Sequence, residues 1–156
     1  MREEIVEQFN NSVLVALNDS VSSRWVLDFL STMSLCPEDW KIGLLHFYKE
    51  PSASEELMGK KFTEEQPEKM KKLLERARNR LVESGYHPDR IEYSLITDPY
   101  PTVAEGIIDQ AKKRHATMII IGRKKMSKAE EFVKGDISVK LVRALDGVAV
   151  LVVKSL

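Results

Sequence analysis

The 156-residue sequence predicts an α/β protein with a doubly wound, five-stranded parallel sheet in strand order 3-2-1-4-5 and helices on both faces. Short runs of branched apolar residues alternate along the chain with segments whose apolar residues recur every third or fourth position, as in buried strands and amphipathic helices. Several runs are continuously apolar, which is typical of strands covered on both faces. The connections have crossover length and imply right-handed βαβ units, and the strand order is the one adopted by similar folds.

The first half of the chain contains two predicted strands and two predicted helices. In order, they are a strand over Val13–Leu17, a helix over residues 21–34, a strand over Ile42–Tyr48 and a long helix that ends at Gly85. In the first helix, Trp25, Phe29 and Met33 recur every fourth residue, with Val26 and Leu30 beside them. We expect these residues to form one apolar stripe that faces the core.

The second half continues the alternation. It contains a strand over Ile91–Ile96, a helix striped by Val103, Ile107 and Ala111, a strand over Met118–Ile121, a helix carrying Ile137, Leu141 and Leu145, and a strand over Val148–Val153. Asp98 and Pro99 mark the end of the third strand and the entry to the third helix. The length suits one hydrophobic core, so we expect a single domain over residues 1–156.

Composition limits the partners that the chain is expected to have. Lysine and arginine number 24, and aspartate and glutamate also number 24, so no global field attracts nucleic acid or an anionic membrane. The single Cys36 cannot form an internal disulfide or a cysteine metal cluster. The first residues lack the apolar core of a signal peptide, and no run reaches the roughly 20 apolar residues of a membrane span. We therefore expect a cytoplasmic protein.

The topology predicts where a ligand would bind. In doubly wound sheets, ligands lie beyond the carboxyl ends of the strands where the strand order reverses, which here is between the first and fourth strands. Asn18 and Gly122 are expected to face each other at that point. The fourth strand ends in Gly122 and leads through a basic loop to a helix, and a helix start favours anions because its N–H groups are unpaired.

Several of these segments together resemble the universal stress protein family. Residues 13–20, Val-Leu-Val-Ala-Leu-Asn-Asp-Ser, are similar to the family's opening strand and turn, with Asn18 at its aspartate position and Asp19 at its glycine. Residues 44–46, Leu-Leu-His, match the second strand of the family, and residues 98–99, Asp-Pro, match the entry to its third helix. The resemblance covers nearly the whole chain and implies a fold like that of the adenine-nucleotide alpha-hydrolases.

The resemblance also extends to the loop with which the family's nucleotide-binding branch holds the phosphates of ATP. Gly122 and Gly135 match the first and third glycines of that loop, whereas Lys125 replaces the second glycine and Asp136 replaces the serine or threonine that follows the third. ATP or AMP are the cofactors that the resemblance implies. The candidate binding residues are Asn18, Asp19, Gly122, Arg123, Lys125, Gly135, Asp136 and Ile137.

Two interpretations of this altered loop remain open. An ionised Asp136 can only accept hydrogen bonds, so it would repel a phosphate, and it is well placed to cap the following helix instead. In the other interpretation, the basic side chains replace the lost backbone contacts. Between Gly122 and Gly135, the loop carries Arg123, Lys124, Lys125, Lys128 and Lys134 against Glu130 and Glu131.

Three functions remain as hypotheses. The favoured one is a non-catalytic stress-response module that acts as a homodimer, with protein partners and a weakened ATP loop. The alternative is a nucleotide sensor that binds ATP or AMP through Asn18, Asp19, Gly122 and Gly135. The third, a slow ATP hydrolase or nucleotidyl transferase, lacks a recognisable catalytic motif, and His46, His87 and His115 lie at no metal-ligand spacing.

The fifth strand predicts how a dimer would form. Residues 148–153 are an uninterrupted apolar run that the strand order places at the sheet edge. An exposed edge leaves backbone N–H and C=O groups unpaired, and joining two such edges about a twofold axis would pair them. Universal stress proteins commonly dimerise in this way, so the resemblance implies the same interface.

Overall fold

The computed structural model describes residues 11–33, 39–48, 57, 60–125, 127–130 and 136–156, with the side chains of residues 60–65 excepted. Within them, the elements are β1 (Ser12–Ala16), α1 (Val21–Thr32), β2 (Lys41–Phe47), α2 (Lys60–Glu83), β3 (Ile91–Ile96), α3 (Val103–Lys113), β4 (Met118–Arg123), α4 (Ile137–Ala144) and β5 (Ala149–Lys154). A short 3-10 turn, Pro88–Arg90, precedes β3. Every predicted strand and helix is present. Cys36 and Gly135 lie outside the described residues.

The five strands form one parallel sheet in the order β3-β2-β1-β4-β5, which confirms the predicted fold class. β1 lies at the centre, where it pairs with β2 on one side and β4 on the other. Val13 and Val15 of β1 have no exposed surface, and Leu14 has almost none. The continuous apolar run of β1 therefore results from its burial on both faces.

Helices cover both faces of the sheet, and each face has its own core. On one face, Val13 and Val15 of β1 pack in a cluster with α1 and α2, which contribute Val26, Leu30, Leu74, Ala77 and Leu81. On the other face, Leu14 packs in a cluster with α3 and α4, which contribute Ile107, Ala111 and Leu141. Alternate residues of one strand thus serve two separate layers, as the period of a strand requires.

The apolar stripe of α1 differs from the prediction. Trp25 and Phe29 are 36% and 38% exposed, whereas Val26 and Leu30 are fully buried, and only Met33 of the predicted fourfold series packs against the core. Two apolar rows run side by side along this helix, and spacing alone could not show which row faces the sheet. The buried row also contains Ser23, and this polar residue makes the row harder to recognise as apolar in the sequence.

No helix among the described residues is long and apolar enough to cross a membrane.

Candidate functional site

A cavity of about 110 Å³ lies at the carboxyl ends of β1 and β4, where the strand order reverses. It is lined by Ala16, Leu17, Asn18, Ser22, Ser23, His46, Phe47, Val103, Ile107, Ile121, Gly122 and Ile137. Three of the candidate residues, Asn18, Gly122 and Ile137, are therefore brought together. We call this cavity the crevice. It is smaller than the roughly 300–1,000 Å³ of typical ligand pockets.

The turn between β1 and α1 is held by neutral hydrogen bonds. Ser20 is the N-cap of α1, and its hydroxyl accepts a hydrogen bond from the backbone N–H of Ser23 at 3.3 Å. The Ser23 hydroxyl in turn donates to Oδ1 of Asn18 at 2.8 Å and accepts from the Asn18 backbone N–H at 2.9 Å. Asn18 is thereby fixed at the crevice by a buried serine of the next helix.

Gly122 allows α1 to approach β4 closely. A Cβ atom at this position would lie 2.7 Å from the carbonyl oxygen of Ser22 and 2.8 Å from its carbonyl carbon. Both are backbone atoms and cannot rotate away as a flexible side chain would. Packing of the α1 start onto β4 therefore requires a glycine here, independently of any contact with phosphate.

The N-cap of α4 is a carboxylate that forms an ion pair with an arginine. Asp136 is this N-cap, as the sequence indicated, and its carboxylate accepts hydrogen bonds from the Ser138 backbone N–H at 3.0 Å and from the Ser138 hydroxyl at 2.6 Å. Nη1 of Arg123 lies 3.0 Å from the second carboxylate oxygen, and both side chains are largely buried. The Ser138 hydrogen bonds, with a smaller attraction from Arg123, hold the pKa of Asp136 below its usual value. An ionised carboxylate thus occupies the position where a phosphate would approach the helix.

The other candidate residues that the structure describes are not among those that line the crevice. Asp19 forms an exposed ion pair with Lys69 of α2, at 3.4 Å. Lys125 is exposed in the connection that follows β4. Arg123 is engaged with Asp136. Gly135 is not among the described residues, so its place relative to the crevice remains a prediction from the sequence.

Sequence analysis missed several residues that line the crevice. His46 is the half-buried penultimate residue of β2, beside the end of β1, and its Nδ1 donates a hydrogen bond to the carbonyl oxygen of Leu17 at 2.8 Å. Val103 was expected in the core stripe of α3, but it is 45% exposed and lies at the crevice instead. The parallel register was the available signal, since it sets the ends of neighbouring strands side by side.

The described residues contain no group of three or more histidine, cysteine, aspartate or glutamate side chains that could hold a metal ion. The crevice itself contributes Asn18, Ser22, Ser23 and His46 as polar side chains. Two of these, Asn18 and Ser23, are hydrogen-bonded to each other, and the Nδ1 of His46 is occupied by a backbone carbonyl.

Comparison with known proteins identifies a family. The chain matches the model of the universal stress protein family over residues 10–154. No curated protein matches it by sequence.

Solved structures of similar fold include several universal stress proteins. One, in complex with cAMP, is 16% identical, with a TM-score of 0.64 and coverage of 93% of this chain and 97% of that one. One from Archaeoglobus fulgidus is 18% identical, with a TM-score of 0.64 and coverage of 94% and 100%. Another from Archaeoglobus fulgidus, in complex with dAMP, is 17% identical, with a TM-score of 0.55 and coverage of 92% and 97%. At these identities, the likeness shows the fold alone.

Proposed function

The chain belongs to the universal stress protein family, and we propose that it is a non-catalytic stress-response module that acts as a homodimer and binds adenine nucleotides only weakly. The ion pair between Arg123 and Asp136 is the observation that carries the weak binding. It places a carboxylate at the start of α4, where the family resemblance implies a phosphate, and it engages the arginine nearest to that position. A bound phosphate would have to displace Asp136 or lie beside its negative charge.

A non-catalytic role is supported by the polar groups of the crevice. A general base must lie within hydrogen-bond reach of a reacting group, and a serine nucleophile needs such a base beside it. Ser23 instead donates to the Asn18 amide oxygen. Among the described residues that line the crevice, His46 is the only one with a titratable side chain, and its Nδ1 is hydrogen-bonded to the carbonyl oxygen of Leu17. These groups fix the shape of the turn.

Dimerisation is supported by the β5 edge. Among the described strands, β5 pairs with β4 alone, and Val152 is 36% exposed. The exposed side chains of Trp25 and Phe29 on α1 extend the apolar surface at the β5 edge. Ser22 contacts β4, and Trp25 and Phe29 follow it by three and seven positions, so they share its side of the helix. Asp28 lies on the opposite flank, toward α2. A second copy on the β5 edge would cover both apolar features.

Calorimetric titration with magnesium ATP, AMP and cAMP tests the nucleotide part of the proposal. We expect dissociation constants weaker than about 10 µM, which corresponds to roughly −7 kcal/mol. Tighter binding of any of the three, or metal-dependent turnover of ATP, would contradict it.

A double variant, Lys125→Gly with Asp136→Ser, tests why binding is weak. It restores the family pattern and also releases Arg123 from its carboxylate, so we expect affinity for ATP to rise at least several-fold. Lys125→Gly alone is the control, since it leaves the ion pair intact and should change affinity little. Unchanged affinity in the double variant would show that the ion pair does not limit binding.

Light scattering of matched edge variants tests the dimer. Val152→Lys places a charge at an exposed residue of β5 and should give monomers that remain folded by circular dichroism. Tyr93→Lys places the same charge on β3, the opposite edge of the sheet, at a residue that is already 41% exposed. It should leave the dimer intact. A wild-type chain that is monomeric at micromolar concentration, or equal behaviour of both variants, would refute the β5 interface.

The alternative, a nucleotide sensor, is favoured by the placement of Asn18 and Gly122 in one crevice and by the cAMP and dAMP complexes of its structural neighbours. Mass spectrometry of the purified protein, denatured to release any bound molecule, separates the two functions. A stoichiometric adenine nucleotide retained through purification would establish the sensor.

A further inference from the structure

A second cavity, which we call the arginine pocket, lies between α1 and α2. Its volume is about 350 Å³, larger than that of the crevice. It is lined by Leu17, Asn18, Asp19, Ser20, Ser23, Arg24, Leu27, Leu73, Arg76, Ala77 and Arg80. Both cavities are lined by Leu17, Asn18 and Ser23 at the β1–α1 turn. Beyond this turn, the crevice is bordered by α3 and α4, and the arginine pocket by α2.

The charges of the arginine pocket are only partly balanced. Arg80 is paired with Asp28, and Asp19 is paired with Lys69. The guanidinium groups of Arg24 and Arg76 form no ion pair or hydrogen bond within the described part of the chain. The pocket thus presents two guanidinium groups, one from α1 and one from α2. No carboxylate of the described residues neutralises their charge.

The floor of the arginine pocket is apolar. Leu27 and Leu73 are only partly buried and offer apolar surface to the pocket, and Leu17 and Ala77, which are almost fully buried, lie beneath it. Apolar surface open to a cavity favours the organic part of a ligand over a bare inorganic ion. The volume lies near the lower end of the roughly 300–1,000 Å³ range of small-molecule sites, so the ligand must be compact.

We propose that the arginine pocket binds a compact organic phosphate monoester, with its phosphate between Arg24 and Arg76 and its organic part on the apolar floor. A phosphate monoester carries about −1.5 to −2 charges at neutral pH, which matches two guanidinium groups, whereas a carboxylate matches only one. Guanidinium groups also bind phosphate in a bidentate manner. This site does not depend on nucleotide binding in the crevice.

Calorimetry with four small probes tests the proposed chemistry on the intact protein. Phenyl phosphate should bind, and benzoate and inorganic phosphate should each bind at least about fivefold more weakly, because benzoate carries only one negative charge and inorganic phosphate lacks an apolar part. AMP distinguishes the source of the ligand, since AMP binding that is tighter than that of phenyl phosphate and is weakened in Arg24→Gln identifies a nucleotide in the arginine pocket. Benzoate as tight as phenyl phosphate, or no binding by any probe, would overturn the proposal.

Single substitutions test whether phenyl phosphate binds in the arginine pocket. Arg24→Gln and Arg76→Gln change exposed side chains, and each should weaken phenyl phosphate binding about tenfold, equivalent to roughly 1.4 kcal/mol. Arg143→Gln, an exposed arginine of α4, is the matched control and should have no effect. Val103→Trp fills the crevice mouth and should also leave binding unchanged. Loss of binding in Val103→Trp, with the arginine variants unaffected, would assign the phosphate to the crevice and overturn the proposal.

Discussion

The helices α1 and α4 begin at the same end of the sheet, after the neighbouring strands β1 and β4. The side chains that cap their first backbone N–H groups differ in charge. The start of α1 is capped by the neutral hydroxyl of Ser20, which belongs to a hydrogen-bonded group with Ser23 and Asn18. The start of α4 is capped by the carboxylate of Asp136, which is paired with Arg123. One start retains the positive potential of its helix, and the other already holds an anion.

This difference shows that a helix start at a topological switch point is not sufficient for anion binding. A hydroxyl cap can turn its proton toward an incoming anion, whereas an ionised carboxylate can only accept hydrogen bonds. The family resemblance directs attention to the α4 start, but the electrostatics there are the less favourable of the two. The four predictions below test this comparison.

The largest expected effect comes from the contact that joins the two regions. Gly122→Ala would place a Cβ atom against the backbone of Ser22, so α1 must move away from β4. Overpacking of this kind typically costs 1–3 kcal/mol, and we expect about 3 kcal/mol lower free energy of unfolding, measured by urea denaturation. Adding Ser22→Gly should not restore stability, because the clash is with backbone atoms. Restoration by that second change would show that the side chain of Ser22 was responsible.

Much of the fold could be predicted from the sequence, because burial on both faces leaves a continuous apolar run in β1 and β4. The side of α1 that packs against the sheet could not be predicted, since Trp25 and Phe29 have the same spacing as the buried Val26 and Leu30. At the candidate site, the meeting of Asn18 with Gly122 followed from topology alone. The pairing of Arg123 with Asp136 did not, because the two residues are thirteen positions apart and no motif in the sequence indicates that they meet.

The second prediction removes the charged cap. Asp136→Ala should lower the free energy of unfolding by about 2 kcal/mol, because it removes an N-cap and leaves Arg123 without this carboxylate. Asp136→Asn is the control, since asparagine caps a helix as well as aspartate does and loses only the charge. In urea denaturation, Asp136→Asn should lower the free energy of unfolding by clearly less than Asp136→Ala does. Equal costs for both variants would show that the ion pair, rather than the cap, holds the α4 start.

The third prediction removes the neutral cap. Ser20→Ala should lower the free energy of unfolding by about 1 kcal/mol, because the backbone N–H of Ser23 in α1 loses its acceptor. Ser20→Asp, which keeps the cap and adds a negative charge, should restore that stability and weaken phenyl phosphate binding in the arginine pocket, which Ser20 lines. Tighter phosphate binding in Ser20→Asp would contradict our account of the α1 start.

The smallest effect is a difference in how the two caps respond to pH. The folded-state pKa of Asp136 is held below its usual value of about 3.9, chiefly by the Ser138 hydrogen bonds, so the ionised carboxylate stabilises the fold above that pH. This contribution is lost as the pH falls through the folded pKa. The stability difference between wild type and Asp136→Asn should therefore be constant from pH 7 to pH 5 and shrink below about pH 4.

Ser20 has no titrating group, so the difference between wild type and Ser20→Ala should remain the same across that pH range. Comparing each variant with wild type at the same pH cancels the titration of other carboxylates, including Asp109, whose pKa is also lowered, mainly by its hydrogen bond with Lys113. Urea denaturation at pH 7, 5, 4 and 3 provides the measurement. If the two differences shrink in parallel, the acid response belongs to the whole fold, and the contrast between a charged and a neutral helix start fails.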